Sequence, residues 1–421
     1  MASLGKVAQI RVSNVDKKSL PGEEPVRLCN YLDVYKNDYL GPGHPYMAAT
    51  ATLSEIETHR LWPGDVVVTK DSETPDDIGV PAVIDSAEGM LLCGYHLAVI
   101  RSSNELDPTF LAKQLGGPRV ARQFARMATG STRYGLSVSA IEKLEILLPP
   151  PSEQRRISKL IRTFDEAIRR TEQVIAKLKQ MKQGLLHDLL TRGIDENGEL
   201  RDPVRHPEQF KDSPLGRIPR EWNVRKIGHL SGSFAGGTPS RSVPGSFGGG
   251  IPWVKSAEVG RRGGIYWTEE TVGPRAMGTS SLKWVEAKTP LMAMYGATAG
   301  VVGWLGIRAT TNQAVLALPP HTGVADARWM YWALSWRSDS IISLQQGSGQ
   351  PNLSKSVIDA ALLVLPSSLT EQREVALTLD SMESLIESEI KTKEKLRLLK
   401  TGLAEDLLSG RVRVFEDNQE R

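Results

Sequence analysis

The sequence holds only two cysteines, Cys29 and Cys93, in 421 residues, and their spacing matches no metal-ligand pattern. That argues against a disulfide scaffold or a zinc site, and the expectation is two reduced, buried thiols. There is no run of 18 apolar residues and no charged-then-apolar leader, as expected of a cytoplasmic, non-secreted chain. A charge excess of one sign is nearly missing too. The 52 Lys and Arg offset 49 Asp and Glu, leaving +3, a balance that permits an anionic partner without demanding one.

Catalytic signatures are also missing. Gly296-Ala297-Thr298-Ala299-Gly300 lacks the lysine of a phosphate loop. Phe234-Ala235-Gly236-Gly237-Thr238 is not the glycine signature of an adenosylmethionine site, and no Asn-Pro-Pro-aromatic motif occurs. Glu286-Ala287-Lys288 has the tail of a nuclease motif, but no Pro-Asp precedes it at a sensible distance. The seven histidines are scattered, with no His-x3-His pair, so surface or core roles are expected for them rather than metal binding.

What is present is a long periodic stretch, Pro151 to Gly193. Ile157, Ile161, Phe164, Ile168, Ile175, Leu178, Leu185 and Leu189 follow a 4,3 alternation, interrupted at Thr171 and Lys182. This is the heptad pattern of a helix seeking a partner helix. Ser152 is a candidate N-cap, and Gly193 supplies the stop. About 40 residues at 1.5 Å each make a rod of roughly 60 Å.

The partner lies in the same chain. Residues 370–410 repeat the stretch at an offset of 218: Glu153-Gln154-Arg155 recurs as Glu371-Gln372-Arg373, and Asp188-Leu189-Leu190 as Asp406-Leu407-Leu408. Val375, Leu379, Met382, Ile386, Leu396, Leu403 and Leu407 continue the apolar row, and the interruptions recur at Glu389 and Lys400. Polar positions at matching sites can set a pairing register.

Two globular units fill the rest of a chain with room for two or three domains. Residues 1–150 alternate short β-type runs, including Ala8–Val12, Asp65–Thr69 and Leu91–Ile100, with Pro/Gly turns. A helix over Pro108–Met127, a Gly130–Leu136 loop and a strand over Leu144–Leu148 follow. Residues 194–218 are polar, rich in Pro and Asp, and read as a linker. The second unit, 219–366, repeats the end of the first: a helix bearing Trp329, Trp332 and Trp336, whose spacing favours core packing, then a Gly347–Leu353 loop and a strand ending at Pro366. Residues 367–421 hold the second long helix and tail. The rods resemble each other more than the globules do. Such a plan suits two different readers on one scaffold.

The ordered set of motifs resembles the specificity subunit of Type I restriction–modification systems. It comprises the Glu-Gln-Arg helix starts, Lys-x-Gly-Leu-x-x-Asp-Leu-Leu at 182–190 and 400–408, Ile218-Pro219-Arg220-Glu221-Trp222, Gly236-Gly237-Thr238-Pro239-Ser240, Tyr295-Gly296-Ala297-Thr298 and Asn312-Gln313-Ala314. Asn14-Val15-Asp16-Lys17, Val26–Tyr31 and Gly64–Thr74 add to it. The resemblance implies an α/β fold: two mixed α/β target recognition domains joined by two long helices packed as an antiparallel coiled coil, with pseudo-twofold duplication. It implies no catalysis in this chain. Each domain would read half of a bipartite, asymmetric site in double-stranded DNA. The helices would act as a spacer and dock two adenine-methylating subunits, and motor/nuclease (restriction) subunits would join. S-adenosylmethionine and ATP/Mg would be bound by those partners.

Phosphate contacts want Lys, Arg and backbone amides; base edges want Arg, Asn, Gln, Ser or Thr. On that chemistry the candidate DNA-binding residues are Lys70, Ser72, Thr74, Arg122, Ser131, Thr132, Arg133 and Tyr134 in the first globule. In the second they are Thr238, Ser240, Arg241, Lys255, Tyr295, Gln346, Ser348, Gln350 and Asn352. Two rival readings stand beside this one: a single-chain methyltransferase or nuclease with its own recognition domains, and a coiled-coil adaptor without a DNA role.

Overall fold

The computed structural model describes residues 1–344 and 352–414. The chain divides into two compact units, residues 1–170 with those from 393 onward, and residues 171–392. Each holds one mixed α/β globule and part of each long helix, so the division falls within the helices and not at their ends.

The long helices run Pro151–Thr191 and Leu369–Ser409. Pro151 opens the first, where a missing N–H costs nothing. Ser152 therefore lies inside the helix and does not cap it; the Pro150 carbonyl accepts the Glu153 and Gln154 amides instead. Gly193 and Gly410 follow the two C-termini at φ 63° and 76°, left-handed positions that end a helix at no cost only for glycine.

In the first unit Ile157 and Ile161 share a core with Leu403 and Leu407, while Lys400 pairs with Asp165. In the second, Leu189 and Leu190 share a core with Val375, Ala376 and Leu379, and Lys182 meets Glu383 at 2.6 Å. In both units the partner number rises as the helix number falls, so each pairing is antiparallel. The lysines that interrupt the heptads are thus repeat-equivalent, and so are the acids they meet, Asp165 and Glu383.

The same duplication ties helix to globule. The Gln154 side chain accepts from the Asp107 amide (2.8 Å) and donates to the Glu105 and Pro149 carbonyls. Gln372 accepts from the Asp326 amide (2.7 Å) and donates to the Val324 and Pro366 carbonyls. Asp107 and Asp326 in turn cap the helices Pro108–Leu115 and Ala327–Ser343. Both glutamines are buried, so these bonds form in a setting where an unmet amide would be costly.

The first globule has a five-stranded sheet in the order Ala8–Val12, Leu97–Ser102, Val66–Thr69, Pro81–Ile84, Tyr39–Leu40, and a three-stranded sheet of Met47–Ala51, Glu24–Cys29 and Leu91–Cys93. The second has Phe234–Ala235, Val315–Ala317, Thr289–Ala293 and Val302–Leu305 in one sheet, and Glu270–Val272, Phe247–Val254 and Thr310–Thr311 in another. Cys29 and Cys93 are buried neighbours in register, free thiols whose burial pushes their pKa up. Trp329 and Trp332 are buried in the second core with Trp336 packed against it.

Three further expectations change. The run Leu91–Ile100 splits at Gly94-Tyr95-His96 into strands of different sheets. The Pro108–Met127 helix breaks at Gly116-Gly117, because Pro118 has no amide for a preceding turn and must start a new helix. Residues 194–218 are no bare tether. Phe210–Ser213 and Gly216–Pro219 form a hairpin, Phe210 and Ile218 are buried, and Glu371 accepts from the Ile194 amide, Arg201 and the Trp222 indole.

Asp165 shows what the helix register rests on. It accepts from Lys113 (2.9 Å), Lys400 and the Tyr39 hydroxyl (2.9 Å). Burial pushes its carboxyl up, but Lys113 and Lys400 outweigh that and hold it below the usual carboxylate range. Asp165→Asn is expected to destabilise the chain by roughly 2 kcal/mol at pH 7, less than a fully buried pair because both lysines reach some solvent. A depressed folded-state pKa stabilises above the ordinary Asp value, near 4, and that advantage is lost as pH falls through the folded value. Urea unfolding of both proteins from pH 7 down to pH 3 should therefore show the gap between them closing with acid.

Candidate nucleic-acid interface

In the first globule strand ends from different sheets converge at one edge of the fold. The Ser13 amide donates to Leu97 O, the Gly94 amide to Cys29 O, the Lys70 amide to His96 O, and the Leu136 amide to Lys70 O. Tyr134 and Gly135 pair with Ser72 and Asp71. This network gathers Asn30, Lys70, Asp71, Tyr95, His96 and the Gly130–Leu136 loop. Lys70 bonds Asp71 (3.2 Å) and lies 5.0 Å from the Tyr95 ring centre. His96 Nδ1 is 2.8 Å from Asp71 and 3.5 Å from Arg133. The shorter contact puts the Nδ1 proton on the Asp71 bond and leaves Nε2 for another partner. Beside them Asp16, Lys17, Asn30, Tyr31, Gly94, Tyr95 and His96 line a hollow of about 250 Å³.

The second globule builds the same edge with the same bonds. The Gly236 amide donates to Val315 O, the Asn312 amide to Val254 O, the Met294 amide to Ala314 O and the Leu353 amide to Met294 O. Tyr295 bridges to Asn352 as Asp71 does to Gly135. Lys255 corresponds to Asn30: each backbone amide donates to an acid three residues on, Glu258 (2.9 Å) and Asp33 (2.7 Å). The glycine pair has a steric reason, since a Cβ on Gly236 would lie 2.0 Å from Thr311 O. Thr238 donates to the Gln313 side chain, and the Trp253 indole to Gly237 O.

The scaffold is one and the side chains are two. Where the first edge carries Lys70, Asp71, Tyr95 and His96, the second carries Met294, Tyr295, Gln313 and Ala314 at matched positions.

The profile of the type I restriction modification DNA specificity domain matches this chain twice, over residues 28–180 and 219–398. The chain belongs to the type I specificity-subunit family. A putative type I restriction enzyme specificity subunit of Methanocaldococcus jannaschii, MjaX, is 25% identical over 367 residues, 86% of this chain and 81% of that one. The MjaVIII specificity subunit of the same organism is 26% identical over 65% of this chain and 63% of its own length. The solved S subunit of a type I restriction–modification system from M. genitalium has a TM-score of 0.60 at 16% identity, covering 97% of this chain and 95% of that one. At that identity the likeness establishes the fold alone. The protein is the DNA-recognition subunit of a type I system and not its catalyst.

Within this specificity subunit, the edge brings Lys70, Ser72, Arg133 and Tyr134 together, and separately Thr238, Lys255, Tyr295 and Asn352. Ser72 is buried, and its Oγ accepts from the Thr74 amide, so it shapes the loop. Ser131, Thr132 and Thr74 are exposed on the same loops. Arg122 stays on its helix, its Nε donating to Pro118 O. Ser240 bonds Ser242 (2.7 Å), and Arg241 pairs with Glu270 (2.7 Å) over the Phe247 ring. Lys255 is held by Glu269 and Glu270, bonds that raise its pKa and lower that of Glu269, while Glu270 is lowered first by its bond from Arg241 and then by Lys255. A phosphate has to displace those acids to reach Arg241 or Lys255. Gln346, Ser348 and Gln350 lie outside the described residues.

Sequence reasoning missed Asn30, Tyr95, His96 and Gln313 as candidates. The 218 offset was the available signal: it maps Gly94-Tyr95-His96 onto Asn312-Gln313-Ala314. Arg133→Ala and Gln313→Ala are each expected to cost roughly 1–3 kcal/mol in DNA recognition, the range for a bidentate base contact. Binding measured with oligonucleotides altered in one half-site at a time should confine each loss to a different half.

Proposed function

We infer that the two edges are the base-reading surfaces of a subunit that recognises a bipartite, asymmetric DNA sequence, one half per globule. The observation that carries this is the matched backbone network with unmatched side chains. Conserving the amide pattern keeps the geometry of presentation, while replacing Lys70, Tyr95 and His96 by Met294, Gln313 and Ala314 changes the donors and acceptors offered to a base edge. Arg133, Tyr134, Thr238, Tyr295 and Asn352 are the neighbouring groups best placed by chemistry to share that role. The long helices dock two adenine-methylating subunits, with motor/nuclease subunits completing the complex. S-adenosylmethionine and ATP/Mg act on those partners.

The test is exchange. Replacing residues 221–365 with the second domain of another family member, and mapping methylated adenines in cells carrying the hybrid, should change one half of the methylated motif. The other half should stay. A hybrid that is active and alters both halves would falsify the separation of the two readers.

A further inference from the structure

His96 stands at the first edge with one ring nitrogen engaged and the other open. The turn that carries it, Gly94-Tyr95-His96, is fixed by backbone bonds: the Gly94 amide donates to Cys29 O, the Leu97 amide to Gly94 O and the Lys70 amide to His96 O. The ring is fixed as well. Its Nδ1 lies 2.8 Å from an Asp71 carboxylate oxygen, and the Tyr95 ring stands edge-on to it at 4.7 Å between centres. Among the described residues nothing bonds Nε2, and His96 lines the hollow of about 250 Å³ with Asn30, Tyr31 and Tyr95.

The chemistry of the open nitrogen follows from that of the engaged one. An ionised carboxylate only accepts, so the Asp71 bond requires the imidazole proton on Nδ1. A neutral ring with its proton there presents a bare lone pair at Nε2. The neighbours favour the neutral ring. The Asp71 oxygen that meets His96 also meets Lys70 at 3.2 Å, and the Arg133 guanidinium is 3.5 Å from Nδ1. Asp16 and Lys17 at the same hollow add one charge of each sign. With one carboxylate already answering two cations, a further positive charge on the imidazole would have no partner.

We propose that His96 Nε2 reads the exocyclic amine of an adenine or a cytosine in the half-site of the first globule, and that Asp71 is the positioning residue that makes it an acceptor. In the major groove only those two bases offer a donor, adenine at N6 and cytosine at N4. Guanine and thymine offer acceptors there, which a bare lone pair repels. This rests on the reading of the edge as a base-reading surface. It applies to one half-site, because the matched positions in the second globule are Gln313 and Ala314 and hold no imidazole.

The experiment presents the complex of the full chain and its methylating subunits with duplexes in which each position of the mapped motif carries each base pair in turn. His96→Ala should flatten the preference at one position of one half-site, and the wild type should prefer adenine or cytosine there. Replacing that base by its analogue without the amine, purine or pyrimidin-2-one, should weaken the wild type about tenfold and leave His96→Ala unchanged. Asp71→Ala keeps the imidazole but frees its proton to move to Nε2, so it should flatten the same position and no other. Unchanged preferences in the other half-site report that each variant is folded. A flattened position that prefers guanine or thymine overturns the acceptor assignment and leaves the edge as a reader. An Asp71→Ala variant that weakens every position alike overturns the positioning role. His96→Ala that alters no position overturns the proposal, and if Tyr95→Ala and Arg133→Ala also alter none, the base-reading edge falls with it.

Discussion

A long amphipathic helix in water must cover its apolar row, and this chain meets that demand by pairing each helix with a copy of itself. Ile157, Ile161 and Leu407 in one unit, and Leu189, Val375 and Leu379 in the other, are buried where the paired helices meet the globule of that unit. The charged interruptions add direction. A lysine in the row satisfies its ammonium only where an acid faces it, so Lys400 with Asp165 and Lys182 with Glu383 favour one register over its neighbours. Tyr39 and Lys113 join Asp165 in the first unit, and Trp332 lies under Lys182 in the second, so the register is linked to each globule.

Buried amide chemistry then transmits position from helix to reader. Gln154 and Gln372 make the same three kinds of bond, and each holds the backbone of the aspartate that caps the next helix. A side chain with both a donor and an acceptor can hold an amide of one segment and a carbonyl of another at once; an ionised carboxylate cannot donate and a lysine cannot accept. Glu371 plays a related part by receiving the Ile194 amide, Arg201 and Trp222, which orders the stretch that leaves the first long helix. The counterpart Glu153 receives Arg413 through two bonds of 2.7 Å, and that pairing lowers its pKa.

The globules show what duplication leaves free to change. Backbone amides at the edge bond identically in both, because those bonds define where the strands end. Met294, matched to Lys70, is buried in the second core, whereas the side chains at Tyr95 and His96, and at Gln313 and Ala314, are under less packing demand and differ. Functional divergence is cheapest at such sites, where a substitution alters chemistry without opening a cavity.

Much of this was legible in the sequence. The long helices, their apolar rows, the matched lysines and the Glu-Gln-Arg starts follow from periodicity and an internal offset, since heptad order is a local property that a linear string records. Candidates on the Gly130–Leu136 loop, at Lys70 and at Thr238 followed from residue chemistry. The structure alone decided that Gly94-Tyr95-His96 and Asn312-Gln313-Ala314 stand beside them, because the edge joins residues dozens of positions apart through backbone bonds that no side chain reports. It also decided that Ser72 is buried, that Arg241 and Lys255 already hold acids, and that the stretch 194–218 is folded. Those outcomes depend on which groups meet in space, and burial and ion pairing are properties of neighbours that the order of residues does not name.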